Sequence, residues 1–160
     1  MSATRDNFYS LGRLLSKASR LLNMRINEEF SRHEIGSGQL HSLLALYGEE
    51  GICQKEICEI YNLDKAAVGR ALNKLEKKDF IERKPDQNDK RRKKVYLTEK
   101  GKSFKPECLD RLKNIEEDLK KVLNPKEIEI FKESVEKICE NLGSESKKTE
   151  EVQKKDPSER

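Results

Sequence analysis

The sequence predicts a mainly α-helical chain built around a winged helix-turn-helix: two short helices joined by a tight turn, then a small basic β-hairpin, with one long helix before this unit and two after it. Three observations carry that reading. Apolar residues recur at steps of three and four through most of the 160 residues. Strand-like alternation is confined to one short stretch bounded by turn residues. Positive charge gathers in that same stretch.

The elements follow in order. From Phe8 to Phe30, the residues Phe8, Leu11, Leu15, Ala18, Leu22 and Ile26 draw one stripe along a helix, widened by Leu14 and Leu21. Gly36–Ser37–Gly38 breaks it, and Ser37 is expected to cap a second helix that buries Leu40, Leu43, Leu44 and Tyr47 until Gly48 and Gly51 stop it. Ile52 and Cys53 read as a brief extended stretch before a short helix burying Ile57, Ile60 and Tyr61. Asn62–Leu63–Asp64 is the turn, and Asp64 caps a helix to Lys78 whose apolar side is Val68, Ala71, Leu72 and Leu75. Phe80–Arg83 and Lys94–Leu97 are the hairpin strands, with turn chemistry over 85–89.

Helix resumes after Thr98, with Cys108, Leu112, Ile115, Leu119 and Val122 on one side. Asn124–Pro125–Lys126–Glu127 joins a capping Asn, a Pro at the first helical position and a Glu three residues after the cap. The last helix is striped by Ile128, Phe131, Val135, Ile138 and Leu142 and is expected to end at Gly143. Residues 144–160 then read as a disordered polar tail.

Composition narrows the function. Charged residues make up 40% of the chain against about 25% in globular proteins, so a monomer would have a thin core. The apolar stripes at the two ends of the sequence have no local partner, which favours packing on a second copy over a monomeric helical bundle. The net charge is +4, yet Asp64–Lys94 holds twelve basic and six acidic residues. The rest of the chain is therefore slightly acidic, and the basic segment reads as an element facing a polyanion. Four cysteines without C-x-x-C spacing, a polar start and the absence of a long apolar run lead us to expect a cytoplasmic protein that spans no membrane.

Cys58, Cys108 and Cys139 lie on or beside apolar stripes and are expected to be inert buried thiols rather than oxidant sensors, with Cys53 undecided. His33 and His41 form no spaced ligand set, so neither a metal nor another cofactor is expected. A phosphate-binding glycine loop, a nucleophile elbow and H-E-x-x-H are all missing, so no catalytic residue is assigned and no enzyme is expected.

Two adjoining segments resemble the MarR (multiple antibiotic resistance regulator) family. Leu63–Arg83, LDKAAVGRALNKLEKKDFIER, is similar to that family's recognition helix and first wing strand. Pro85–Gly101, PDQNDKRRKKVYLTEKG, follows its wing signature of D-x-R, three residues, an apolar residue, then x-L-T-x-x-G. The likeness extends over about residues 5–143. It implies a homodimeric DNA-binding transcriptional regulator, a repressor in the first instance. One recognition helix per subunit would enter the major groove of a palindromic operator, and one wing would lie against the minor groove.

On the recognition helix, Lys65, Arg70 and Lys74, with Ala66, Ala67 and Asn73, cover the side away from Val68, Leu72 and Leu75. Arg70 suits a guanine edge or a phosphate, Asn73 an adenine edge, and the alanine methyls thymine. In the wing, Arg91 takes the family's arginine position, with Asp89 expected to hold its guanidinium. Lys90, Arg92, Lys93 and Lys94 are expected phosphate contacts. Ala66, Ala67 and Gly69 stand where the family often has Ser or Thr, and Asp79 where it often has Gly.

The expected division is a helical dimerisation domain, residues 1–34 and 102–143, around a DNA-binding domain, residues 35–101. Dimerisation is assigned to Phe8, Leu11, Leu15, Phe131, Val135, Ile138 and Leu142. The resemblance also implies an effector, and Arg20, Met24 and His41 are candidates for holding a phenolic or carboxylate ligand where the first two helices meet the helix after the wing. An ordinary surface is the other reading of those three. The competing function is a winged-helix architectural or protein-interaction module whose DNA affinity is independent of sequence.

Overall fold

The structure, a computed structural model, describes the backbone of residues 10–153 and the side chains of residues 10–143. Phe8 lies outside the described residues. The chain divides into two compact units, one ending at Ile115 and the other beginning at Glu116. The first holds α1 (Leu11–Glu29), a single 3₁₀ turn (Ser31–His33), α2 (Ser37–Gly48), β1 (Ile52–Cys53), α3 (Gln54–Tyr61), α4 (Lys65–Lys77), β2 (Ile81–Pro85), β3 (Lys93–Leu97) and most of α5 (Glu99–Lys120). The second holds the end of α5 and α6 (Pro125–Gln153).

Local chemistry sets most of these boundaries. Ser10 caps α1 by accepting the Arg13 amide at 3.3 Å. At α2 the cap is not Ser37, which is already helical. Gly36 takes the cap position, its amide donating to Gln39 Oε1 at 3.1 Å, while the Ser37 amide donates to Asn27 Oδ1 at 3.0 Å. The neighbouring carbonyls do what the hydroxyl was expected to do.

In the first unit, α2 is buried on nearly every side. Leu40, Leu43, Ala45 and Leu46 are inside, while Leu44 and Tyr47 are half-buried. Ile57 of α3 and Leu72 and Leu75 of α4 close on it. Each such side chain contributes about 1.5–3 kcal/mol of transfer free energy. Ile60, expected in the core, is 55% exposed. The packed side of α3 is that of Ile57, Cys58 and Tyr61, and Ile60 falls around the helix from it.

The hairpin is part of a three-stranded antiparallel sheet in the order β1-β3-β2. β3 pairs Val95 with Ile52 on one side and with Arg83 on the other. Pro85, expected in the turn, is the last residue of β2 and opposes Lys93. β2 is an edge strand, where a residue without an N–H is tolerated.

In the second unit, Asn124 Oδ1 accepts the Glu127 amide at 3.0 Å and Glu127 Oε2 accepts the Asn124 amide at 2.8 Å, the reciprocal cap the sequence spelled out. The helix does not stop at Gly143. No left-handed conformation occurs there, and helix continues to Gln153. A glycine ends a helix when it turns left-handed; here it stays in the ladder. Residues 154–160 of the expected tail lie outside the described residues.

Candidate nucleic-acid interface

The reading unit is assembled from caps inward. The Cys53 amide donates to Glu56 Oε2 at 2.7 Å and so starts α3. Hydrogen bonding from the Cys53 side chain and amide, aided by the charges of Arg92 and Lys94, holds the Glu56 carboxyl below the usual carboxylate range. Asn62 ends α3 in the left-handed conformation, φ 50°, which Asn tolerates better than most residues. Asp64 Oδ1 then accepts the Ala67 amide at 2.8 Å and starts α4.

Val68, Ala71, Leu72 and Leu75 bury one side of α4, which leaves Ala66, Arg70, Asn73 and Lys77 along the opposite line. All four are exposed. Lys65 and Lys74 are exposed to either side of this line and Ala67 is half-buried. Lys77 was not among the residues singled out from the sequence, although its spacing of four beyond Asn73 gave the signal. Gly69 faces α3: an added Cβ would lie 3.2 Å from Gln54 Nε2, which donates to the Lys65 carbonyl at 2.8 Å. Its missing side chain serves the packing of the two helices.

The wing tip is built from two aspartates. Asp86 is buried and accepts the Asn88 amide at 2.9 Å. Asp89 Oδ1 accepts the backbone amide of Arg91 at 3.0 Å. The expected fork between Asp89 and the Arg91 guanidinium is not formed, because the short carboxylate is already committed to the turn two residues on. Arg91 is exposed, as are Lys90, Arg92 and Lys93, whereas Lys94 is half-buried in the sheet.

Between wing and helices lies a recess of about 370 Å³ with Lys55, Lys65, Arg83, Arg91, Arg92 and Lys93 on its walls. Arg92 Nη2 donates to Cys53 Sγ at 3.3 Å on its floor. Lys65, Arg70, Lys74, Lys90, Arg91 and Lys93 pair with no carboxylate among the described residues. Arg111, away from this surface, is by contrast neutralised by Glu29 at 3.1 Å and Glu107 at 2.7 Å. The reading surface thus keeps its positive charge free for an anionic partner.

Arg83, also not singled out beforehand, is half-buried behind α4. Its Nη1 donates to Asn73 Oδ1 at 2.8 Å and to Glu76 Oε2 at 3.2 Å.

The effector candidates are not brought together. Arg20 and Met24 share an open groove along α1 with Leu15 and Asn23. His41 stands on α2 with its ring 5.1 Å from that of Tyr61, and burial lowers its pKa. Where α1 and α2 approach α5, Phe104 packs edge-on to Phe30 and Phe80, and His33 lies against it at 4.6 Å. That junction is filled by aromatic rings.

Of the assigned dimerisation residues, Leu11, Phe131 and Leu142 are exposed and Leu15, Val135 and Ile138 half-buried. Cys108 and Cys53 are buried, Cys58 half-buried, and Cys139 exposed, contrary to the burial expected for it.

Similarity to known proteins agrees with this geometry. A model of the MarR family matches residues 35–93. An uncharacterised HTH-type transcriptional regulator of Bacillus subtilis, YybA, is 35% identical over 94 residues, 59% of this chain and 63% of that protein's length. The crystal structure of a MarR transcriptional regulator from Methanosarcina mazei superposes with a TM-score of 0.75 at 30% identity, covering 82% of this chain and 94% of that one. A MarR variant from E. coli solved with operator DNA gives a TM-score of 0.76 at 26% identity, covering 83% and 96%.

Proposed function

For a chain that belongs to the MarR family of DNA-binding transcriptional regulators and carries its winged helix fold, we propose action as a homodimeric, sequence-specific repressor in the cytoplasm. The observation that carries this reading is the set of unneutralised cations, Lys65, Arg70 and Lys74 on α4 with Lys90, Arg91 and Lys93 on the wing, beside an exposed line of small and polar side chains. A recognition helix in the major groove and an arginine-tipped wing in the adjacent minor groove use such a surface.

The dimer rests on apolar surface left open in the single chain. Leu11 of α1 is 72% exposed and Met24 60%, while α6 exposes Ile130, Phe131 and Leu142. Burying such patches on a second copy would set two reading heads about 34–36 Å apart, one helical turn of DNA. In this reading residues 1–34 and 102–143 serve dimerisation and residues 35–101 serve DNA. A phenolic or carboxylate effector would act by favouring one spacing of the heads over another. In this reading Arg20 and Met24, which share the α1 groove, are the proposed contacts to it, while His41 lies apart from them.

Competition binding by anisotropy tests the specific reading. The chain should prefer its own palindromic site over random duplex by about 10³-fold or more. Arg91→Ala should weaken specific binding by at least about tenfold while sedimentation still gives a dimer. Equal affinity for all duplexes would support the architectural alternative, and an unchanged affinity for Arg91→Ala would remove that residue from the interface.

A further inference from the structure

We infer that Arg83 sets base preference by fixing the direction of the Asn73 amide, so that Asn73 presents a donor and reads a guanine. This inference rests on the sequence-specific reading above and deepens it.

Asn73 stands on the exposed line of α4, three residues after Arg70 and four before Lys77. An Asn side chain reads adenine with both ends of its amide, the oxygen accepting from N6 and the nitrogen donating to N7. That requires the oxygen to be free to turn toward the base. Here it faces Arg83 at 2.8 Å. A guanidinium carries donors only, so the atom against it must be the oxygen, and the amide has one chemically consistent direction.

Arg83 is itself anchored. Its side chain is 19% exposed, it grows from β2 in register with Val95, and its Nη1 also reaches Glu76 Oε2 at 3.2 Å. Swinging the Asn73 oxygen outward would leave this charge with one acceptor fewer in a half-buried place. The Asn73 nitrogen has no partner among the described residues and is the end left for DNA. Two N–H donors suit the adjacent N7 and O6 acceptors of guanine, and they meet only one acceptor on adenine and a donor on cytosine. Arg83 is a positioning residue, since it acts through Asn73.

Selection of duplexes from a randomised pool by the full-length protein tests this. Asn73→Ala identifies the position that Asn73 reads, because the preference there should flatten while the remainder of the selected site persists. The wild type should favour guanine at that position, and Arg83→Leu should shift the ratio of adenine to guanine by about fivefold or more toward adenine. Arg83→Lys, which keeps a cationic donor against the oxygen, should retain guanine. Asn73→Asp, acceptor-only, should turn the preference to cytosine. A site that no position of which responds to Asn73→Ala overturns the inference, and so does a wild-type preference that survives Arg83→Leu. Failure of the wild type to enrich any sequence overturns the specific reading itself, and the inference falls with it.

Discussion

Gly101 shows how one position ties the family signature to the fold. A Cβ built there would lie 2.1 Å from the Phe80 carbonyl oxygen, a backbone atom that also accepts the Thr98 amide at 3.1 Å. The Gly101 carbonyl in turn accepts the Tyr47 hydroxyl at 3.0 Å, and Thr98 Oγ1 accepts the Gly101 amide at 3.1 Å. Neither strand nor helix can yield without breaking the other's bonds. Gly101→Ala should therefore lose at least about 3 kcal/mol of unfolding free energy in urea titration. The Leu-Thr-x-x-Gly end of the signature was legible from the sequence as a pattern, and its cause, contact between two backbones, was not. Asp79 lies at the same junction. It adopts φ 61°, a left-handed turn for which glycine is the better suited residue and at which the family resemblance led us to expect glycine, so the structure keeps the turn with a residue less suited to it.

Cys108 adds a pH dependence at this scale. Burial, reinforced by the Glu107 charge, pushes its thiol up to about 11. The unfolded chain ionises nearer the ordinary thiol range, so between about pH 9 and 11 the unfolded state binds fewer protons than the folded one. Stability supplied by the neutral thiol is complete below that window and is lost as pH rises through it. Tyr47, raised by burial above its ordinary range, extends the loss to still higher pH. Urea midpoints should fall from pH 8 to pH 10.5, and the fall should be shallower in Cys108→Ala.

Among the elements, α4 and the reciprocal cap of α6 were readable because their signals are local: an Asp at one end, a repeating apolar side, an Asn and a Glu three apart. β1 was less so. Two residues cannot show alternation, and their pairing with β3 is a contact more than forty residues away in sequence. α2 hid its full burial because a nearly continuous apolar run gives no polar side against which to orient it. Ile60 went astray for the opposite reason: in a helix of eight residues, a step of three can leave the packed side. α1 poses the open energetic question, since Leu14, Leu21 and Met24 are exposed in the single chain. If a second copy covers them, replacing Leu14 and Leu21 together by Glu should shift sedimentation from dimer to monomer at micromolar concentration. The far-ultraviolet circular dichroism of the helices should hardly change, because those side chains add little to the core of the first unit. A dimer that survives both charges would place the interface elsewhere.

At the scale of the whole molecule, the charge distribution and the proposed pairing make joint demands on DNA binding. Nine cations per chain on α4 and the wing, Lys65, Arg70, Lys74, Lys77, Lys90, Arg91, Arg92, Lys93 and Lys94, have no carboxylate partner among the described residues, so a dimer would bring up to twice that number to the phosphates. Binding that engages about 6–10 phosphates loses about 10³–10⁵ in affinity between 50 and 200 mM salt, and this protein should fall in that range or beyond it. Salt dependence alone, however, would be equally steep for a protein that ignores sequence. The geometric demand separates the two. Heads fixed about one helical turn apart require both half-sites on the same side of the duplex. Inserting about five base pairs, half a turn, at the centre of the selected palindrome carries one half-site to the far side. The affinity should then drop to that of a duplex carrying a single half-site, while the salt slope shrinks by the contacts of one head. Were the expanded palindrome bound as tightly as the parent, the two heads could not be rigidly coupled. Changes in their spacing would then have no means of controlling DNA occupancy.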